Sequence, residues 1–320
     1  MKRRSVLFPT NDADLVFLDR HRGHLEDTFI LAVPPRDMLQ IVMNKAHLAA
    51  LADAHGLATP VTRRVTSLDD LEAIAEDLIY PAVIKPLNTY DWRTPAFSGR
   101  FGIKKGWRVR DHEECRAIYS QIAPLAPEAL VQEWIEGPES AYHVVGAVTG
   151  EGGQPLAAFT GRKLMQYPPG VGLGCLLQAV NDDRLAEQGL TFLASIGYRG
   201  ICEIEVKKDA RSGRHRLVEI NPRPWDQHDL ARRLGVDLIW IYYRDLVGLP
   251  PEPFVRPTRS ATWIRLGGVI GTLKEGLRTG NSSMLAVVGR CLFAKKSYAI
   301  WDWQDPGPTL RHFRNMMKKL

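Results

Sequence analysis

Apolar side chains recur along this chain at two spacings, every second residue or every third to fourth, and the two alternate. Val6, Leu7 and Phe8 read as a short strand ending at Pro9. Leu15, Leu18 and Leu25 then follow a helical pattern, and residues 29–33 read as a second strand. Helical spacing continues over residues 37–55 through Leu39, Val42, Leu48 and Leu51, with Gly56 as the stop. Ser67 is an N-cap for a helix whose apolar stripe is Leu68, Leu71, Ile74, Ala75 and Leu78. Residues 82–84 form a buried strand between Pro81 and Pro86. Residues 87–106 mix Pro, Gly, Ser and basic residues without a period, which predicts a mobile loop. Further helices are expected over 113–122, 183–197, 230–234 and around 242–247. Further strands are expected over 130–135, 142–148, 156–160, 201–206 and 217–220. Beyond Pro250-Pro251 the composition shifts, so 252–320 reads as a C-terminal extension with a basic tail from Arg311 to Lys319.

The strands at 201–206 and 217–220 flank a turn at Ser212-Gly213. Side chains alternate along a strand, so Glu203 and Glu205 share one face, and Glu219 and Asn221 share another. A hairpin centred near Ser212 sets Glu205 roughly across from Glu219. Opposed carboxylates repel, and a hard cation offsets that repulsion better than a proton does. Mg²⁺ takes oxygen ligands from one or two carboxylates and from substrate phosphates. Asn221 adds a neutral oxygen, and Arg223 behind Pro222 suits a phosphoryl group. The plain alternative is a solvated acidic face paired with Lys207, Lys208 and Arg216.

Lys85, at the end of a buried strand, can aim its ammonium into a cleft or simply leave the sheet edge. Lys45 opens a helical stretch, and Arg162 and Lys163 follow a strand; each alone reads most simply as a surface base. The segment Gln132-Glu133-Trp134-Ile135 is a strand edge able to offer backbone groups to a ring, with Glu139 placed to accept from hydroxyls. Asp226 and His228 follow Arg223 closely, and His228 reads most simply as a surface residue.

Composition narrows the setting. With 320 residues, 45% hydrophobic and 24% charged, the chain can bury a sizeable core. Its four cysteines stand apart, without CxxC pairs or neighbouring His ligands. That speaks against a zinc site or a disulfide framework and for a reducing, cytoplasmic setting. The N-terminus has no apolar stretch of the signal-peptide kind, and no uncharged apolar run is long enough to span a bilayer. The net charge is +6. It is spread along the chain rather than clustered, which favours phosphate ligands over nucleic acid.

The order of these features, rather than any one of them, resembles the ATP-grasp ligases, and within them the carboxylate–amine ligase-like group. The resemblance runs from about Phe8 to Pro250 and is most specific at Glu219-Ile220-Asn221-Pro222-Arg223. It implies an α+β fold in which two α+β lobes clasp ATP. A shortened N-terminal α/β segment would cover 1–44 and the ATP-grasp domain 45–251, divided into a nucleotide-binding lobe over about 45–135 and a metal-binding, catalytic lobe over about 136–251. By resemblance Lys45 and Lys85 bind nucleotide phosphates, and the loop 87–106, ending in Lys104 and Lys105, covers them. Gln132, Glu133, Trp134 and Ile135 form the adenine hinge, and Glu139 meets ribose. Glu205, Glu219 and Asn221 hold Mg²⁺, with Mn²⁺ as an alternative. Arg162, Lys163 and Arg223 serve catalysis. The implied reaction activates a carboxylate as an acyl-phosphate and joins it to an amine, with small-molecule substrates and no nucleic acid. A homodimer or a partner chain would complete the N-terminal domain, and the basic tail offers a peripheral membrane contact. Two other readings stand beside this one: a catalytically silent ATP-binding scaffold, and a membrane-associated protein using the tail and the apolar run 284–288.

Overall fold

In a computed structural model of the chain, the residues described are 4–87, 91–102, 104–169, 172–280, 287, 289, 295–302 and 304–317. The strands are β1 (Ser5–Leu7), β2 (Phe29–Leu31), β3 (Thr62–Val65), β4 (Ala82–Pro86), β5 (Trp107–Val109), β6 (Ala129–Glu133), β7 (Tyr142–Thr149), β8 (Pro155–Tyr167), β9 (Leu173–Val180), β10 (Gly200–Lys208), β11 (His215–Asn221), β12 (Thr262–Ile264) and β13 (Lys296–Tyr298). The helices used below are α1 (Asp12–Arg20), α2 (Arg22–Leu25), α3 (Arg36–Met43), α4 (Lys45–Ala54), α5 (Leu68–Ala73), α6 (Pro95–Phe101), α7 (His112–Ile122), α8 (Asp183–Ser195), α9 (His228–Arg233), α10 (Leu238–Leu246) and α11 (Leu266–Arg278).

Contacts divide the chain into two compact units. The first comprises Met1–Val33, Glu139–Glu203 and Arg223–Leu320; the second comprises Pro34–Pro138 and Ile204–Pro222. This differs from boundaries at 44/45, 135/136 and 251/252. The reason is long-range pairing. Residues 34–44 carry α3, which packs on β11 in the second unit. The segment after 252 supplies β12, which pairs antiparallel with β9 in the first (Thr262 opposite Gln178). The C-terminal stretch is therefore built into a sheet rather than appended.

In the first unit β7, β8, β9 and β12 lie side by side in that order, with β13 parallel to β12. β7 and β8 are antiparallel, with Val145 opposite Thr160. The core packs Val144, Phe159, Leu177 and Trp263 of the sheet against Trp225 and Leu238. Gly146 of β7 is required there, because a Cβ would stand 2.4 Å from the Trp225 ring. β1 and β2 form a separate parallel pair.

In the second unit four antiparallel strands run in the order β3-β6-β4-β5. Ile84 and Val131 face a core with Trp92, Phe97 and Tyr119. Two local departures from the pattern reading occur here. Asn44 splits the stretch 37–55 into α3 and α4: its backbone leaves the helical region, and its side-chain oxygen caps Ala46 and His47 N–H at 3.0 and 3.1 Å. The stretch 87–106 holds a helix, α6, started by the Thr94 cap and Pro95 at its first turn. Its Phe97 stacks on buried Trp92, with ring centroids 5.1 Å apart. The spacing from Phe97 to Phe101 is one helical turn. Single aromatics on a short helix were hidden among the Gly, Ser and Arg positions that suggested a loop.

Cys115, Cys175 and Cys202 are free and buried; Cys291, and the run 284–288 apart from Val287, lie outside the described residues. Among the described residues, no helix is long and apolar enough to cross a membrane.

Candidate functional site

The second unit carries the larger share of the candidate residues. Along β4, Ala82, Ile84 and Pro86 are buried, while Val83 and Lys85 turn to the other face. Gln132 of β6 sits opposite Val83 and so shares that face. Its amide oxygen accepts from Lys85 Nζ, and its amide nitrogen donates to Thr62 Oγ1 at 2.7 Å. Gln132 is thus a bracket that aims Lys85. Lys45 enters from the first residue of α4, fixed there by the Asn44 cap. The Lys85 ammonium is held well below its ordinary pKa, first by burial and then by the charge of Lys45 beside it; Glu219 on β11 pulls the other way. Lys45, Lys85 and Glu219, far apart in sequence, therefore interact in one place. Glu205 and Asn221 are half-buried on the same hairpin, whose turn contains Gly213 at φ +68°.

Two like charges side by side on a protein are costly unless something anionic joins them. The donor set here is two ammonium groups facing one carboxylate, with further side-chain oxygens from Glu205 and Asn221 on the adjoining strands. That chemistry suits a polyphosphate and a hard divalent cation. Among the described residues no cluster of three His, Cys, Asp or Glu forms a metal site. The set Glu205, Glu219, Asn221 has only two such residues and depends on an amide and on ligand oxygens for the rest.

The Glu133 side chain has a different role from the one its position suggested. Its carboxylate is buried and accepts from Arg216 Nη1 at 2.8 Å, from Arg211 Nη2 and from Val61 N–H at 3.2 Å. Asp209 joins the same network through both arginines. Backbone groups along the expected hinge are also engaged. Glu133 N–H donates to Val61 O and Trp134 N–H to Pro81 O, both at 2.8 Å. Ile135 O accepts from Lys207 Nζ at 2.7 Å. Among the described residues the Trp134 carbonyl and the Ile135 N–H have no backbone partner. Two cations lie over the Trp134 ring, Arg108 at 4.8 Å and Lys207 at 5.0 Å from its centroid. The plain alternative paired Lys207 and Arg216 with the acidic face; Lys207 donates to Ile135 O, and Arg216 donates to Glu133 and to Thr59 O. Lys104 lies 5.8 Å over the Trp107 ring, and Lys105 beside it is exposed.

In the first unit the basic pair separates by strand alternation. Lys163 is buried and lies 5.6 Å over the Tyr142 ring. Arg162 is exposed, and its Nε donates to Ser140 O at 2.6 Å. Glu139 accepts from the Gln166 N–H of β8 at 3.2 Å, so one of its oxygens is already in use. Arg223 Nε donates to Asp12 Oδ1 at 2.7 Å, and its Nη1 to Pro224 O at 3.1 Å. Asp12 went unnoticed in the sequence. The cap signal at Asn11 marks the start of α1, but nothing local links that turn to a residue 211 positions away. Asp226 is paired with Arg265.

No family model matches the chain. It is 24% identical over 263 residues to a D-aspartate ligase of Enterococcus faecium (strain Aus0004), covering 80% of this chain and 61% of that protein. It is 27% identical over 209 residues to a D-alanine–D-alanine ligase of Ectopseudomonas mendocina (strain ymp), covering 62% of each. Among solved structures it superposes on the biotin carboxylase domain of the 2-oxoglutarate carboxylase of Hydrogenobacter thermophilus, a structure in complex with MgADP and bicarbonate. The TM-score is 0.60 at 14% identity, over 79% of this chain and 55% of that one. The chain has the ATP-grasp fold. It spans about three fifths of the length of these two ligases. Its lysine pair and acidic hairpin lie together in one unit, and its basic strand and Arg223 together in the other.

Proposed function

We propose that the chain is an ADP-forming ligase that activates a small carboxylate as an acyl-phosphate and joins it to an amine, using ATP and Mg²⁺. The observation that carries this reading is the Lys45–Lys85 pair with Glu219 against it. An ammonium whose charge is penalised by burial and by a like neighbour binds a polyanion more strongly than a solvated lysine does, because the ligand relieves both costs.

In this reading Lys45 and Lys85 hold the phosphate chain, Gln132 keeps Lys85 aimed, and Trp134 with Ile135 reads the base. Mg²⁺, when bound at Glu205, Glu219 and Asn221, supplies charge neutralisation at the phosphate oxygens. Lys163, fixed by burial, and Arg223, fixed by Asp12 and Pro224, neutralise the transferring phosphoryl group and orient the carboxylate that attacks it. Arg162 is the outer member of its pair and serves as a surface guide. The ligase relatives are named for the amino acids D-aspartate and D-alanine, and a structural neighbour was solved with MgADP; these support small-molecule substrates and a nucleotide cofactor.

The test is a screen of amino acids and small acids, singly and in pairs, for ADP and phosphate release with Mg²⁺ present. Release that requires a carboxylate, and that falls about 10²-fold or more in Lys85→Met and Glu219→Ala, is the expected outcome. Tight nucleotide binding without turnover across the panel would make the chain a nucleotide-binding scaffold instead.

A further inference from the structure

Strand β8 breaks its register twice before it ends. Lys163 stands opposite Leu177, Met165 opposite Leu176 and Gln166 opposite Gly174 of β9. Leu164 on one strand and Cys175 on the other take no place in that register, so both strands bulge. Regular alternation would turn Lys163 and Gln166, three residues apart, to opposite faces of the sheet. The bulge returns them to the same one, while Met165, Cys175 and Leu176 pack with Val269 on the other. On the shared face a Cβ at Gly174 would lie 3.5 Å from Lys163 Cδ and Cε and 3.4 Å from Gln227 Nε2. Lys163 and Gln227 therefore converge on the residue opposite Gln166, all within the first unit.

The backbone of Gln166 is pinned on both sides. Its N–H donates to Glu139 Oε2 at 3.2 Å, and its carbonyl oxygen accepts from Thr272 Oγ1 of α11 at 3.0 Å. Its side chain is not engaged in the same way. The residue is only 4% exposed, and its amide nitrogen is buried with no hydrogen-bond partner among the described residues. The Gln227 amide nitrogen on the same face does have one, donating to Gly174 O at 3.0 Å. A buried donor without an acceptor costs stability, and two backbone hydrogen bonds hold Gln166 in that condition. Such a group fits a site whose ligand brings the acceptor.

We propose that Gln166 recognises the acid: its amide N–H donates to one oxygen of the substrate carboxylate, on the face of β8 that Lys163 shares. The proposal rests on the ligase reading and adds to it the residue that selects and orients the acid. A carboxylate has two equivalent oxygens, and both accept. With one oxygen held by Gln166, the other is turned to attack. That oxygen bonds to the terminal phosphorus of ATP as the bond from phosphorus to the bridging oxygen breaks, and ADP leaves with the electron pair. A neutral amide contributes direction rather than charge. It suits a singly charged carboxylate, whose charge strengthens the hydrogen bond, better than it suits a polyphosphate.

The experiment reads two Michaelis constants and one melting temperature. KM for the acid and KM for ATP are measured separately from ADP release, using whichever amino acid or small acid gives the fastest release with the wild-type protein. Thermal unfolding is followed without ligands. Gln166→Met, apolar and of similar length, is expected to raise the acid's KM about 10-fold or more and to leave KM for ATP unchanged. Its melting temperature is expected to stay level or rise, because the unmet donor has gone. Gln166→Glu sets a negative charge against the carboxylate and is expected to raise the acid's KM about 10²-fold. The proposal is overturned if Gln166→Met melts lower than the wild type, which makes the residue structural. It is overturned equally if KM for ATP rises in place of that for the acid, or if Gln166→Glu binds the acid as well as the wild type does. ADP release with an unchanged acid KM in both variants overturns the proposal alone, whereas a wild-type protein that releases no ADP with any acid overturns the ligase reading and the proposal with it.

Discussion

Lys85 concentrates the electrostatics of the candidate site in one side chain. Burial and the charge of Lys45 hold its pKa well below the ordinary lysine value. In the ligand-free protein the unfolded chain therefore binds the extra proton more readily than the folded one between the two pKa values. Stability rises with pH through that window and is lowest below it, where Lys85 is charged in both states. A polyanion reverses the sign by raising the folded pKa. Nucleotide binding should then take up protons, and affinity should fall as pH rises through the ligand-free pKa. Calorimetric titration with MgADP in two buffers of different ionisation enthalpy measures that uptake directly. Lys85→Met should abolish the buffer dependence and weaken nucleotide binding about 10²-fold, yet raise the stability of the ligand-free protein, because a buried like charge has gone. A variant that loses both affinity and stability would show Lys85 to be an ordinary structural lysine.

Elements decide where such side chains stand, and α4 and β6 make the point. Asn44 breaks a longer apolar pattern so that α4 begins at Lys45, and its oxygen takes two of the helix's first N–H groups. Asn44→Ala should cost about 1 kcal/mol in urea unfolding and also raise KM for ATP, since Lys45 loses its fixed start; Asn44→Asp or Asn44→Ser should restore most of both. On β6, Glu133 is buried against two guanidinium groups and a backbone N–H. Glu133→Ala leaves those donors without an acceptor and should cost about 3 kcal/mol. Glu133→Gln keeps the shape and the Val61 contact and should recover part of that loss, which chemical denaturation of both variants would resolve. The cap at Ser67 and the β7–β8 pair were legible in the sequence because their signals are local: a Ser three residues before Asp70, and two apolar runs on either side of the glycine-rich stretch 150–153. The helix α6 was not, since its apolar residues serve an aromatic cluster around Trp92 rather than a stripe of their own. Strand β9 was overlooked for a related reason. Five of its eight residues are buried, four of them in a row, so the run Leu173 to Val180 shows no alternation to read.

Across the whole molecule, what the sequence conveyed was an order of charges, and what it hid was their partners. Lys85 and Arg223 could be picked out because each stands at or just past the end of a predicted strand, and Glu219 because it falls across from Glu205; Lys45, inside the predicted stretch 37–55, was singled out by the resemblance. Asp12, Thr62 and Arg211 could not, because each acts on a residue brought near by folding alone. Net charge is the one global quantity visible from both sides, and its consequence is kinetic. A chain of charge +6 draws an anionic nucleotide toward it from beyond contact distance, raising the association rate by an amount that salt removes. Raising ionic strength from roughly 0.01 M to roughly 1 M shortens the screening length from about 30 Å to about 3 Å. The association rate of MgADP, followed by stopped-flow intrinsic tryptophan fluorescence, should fall about 10-fold over that range. Adenosine, which carries no phosphate, should show almost no change. The dissociation rate should respond less than the association rate, because the contacts of Lys45 and Lys85 are short and partly shielded from solvent ions. Equal salt effects on adenosine and MgADP would mean that salt alters the site itself, and the steering argument would fail.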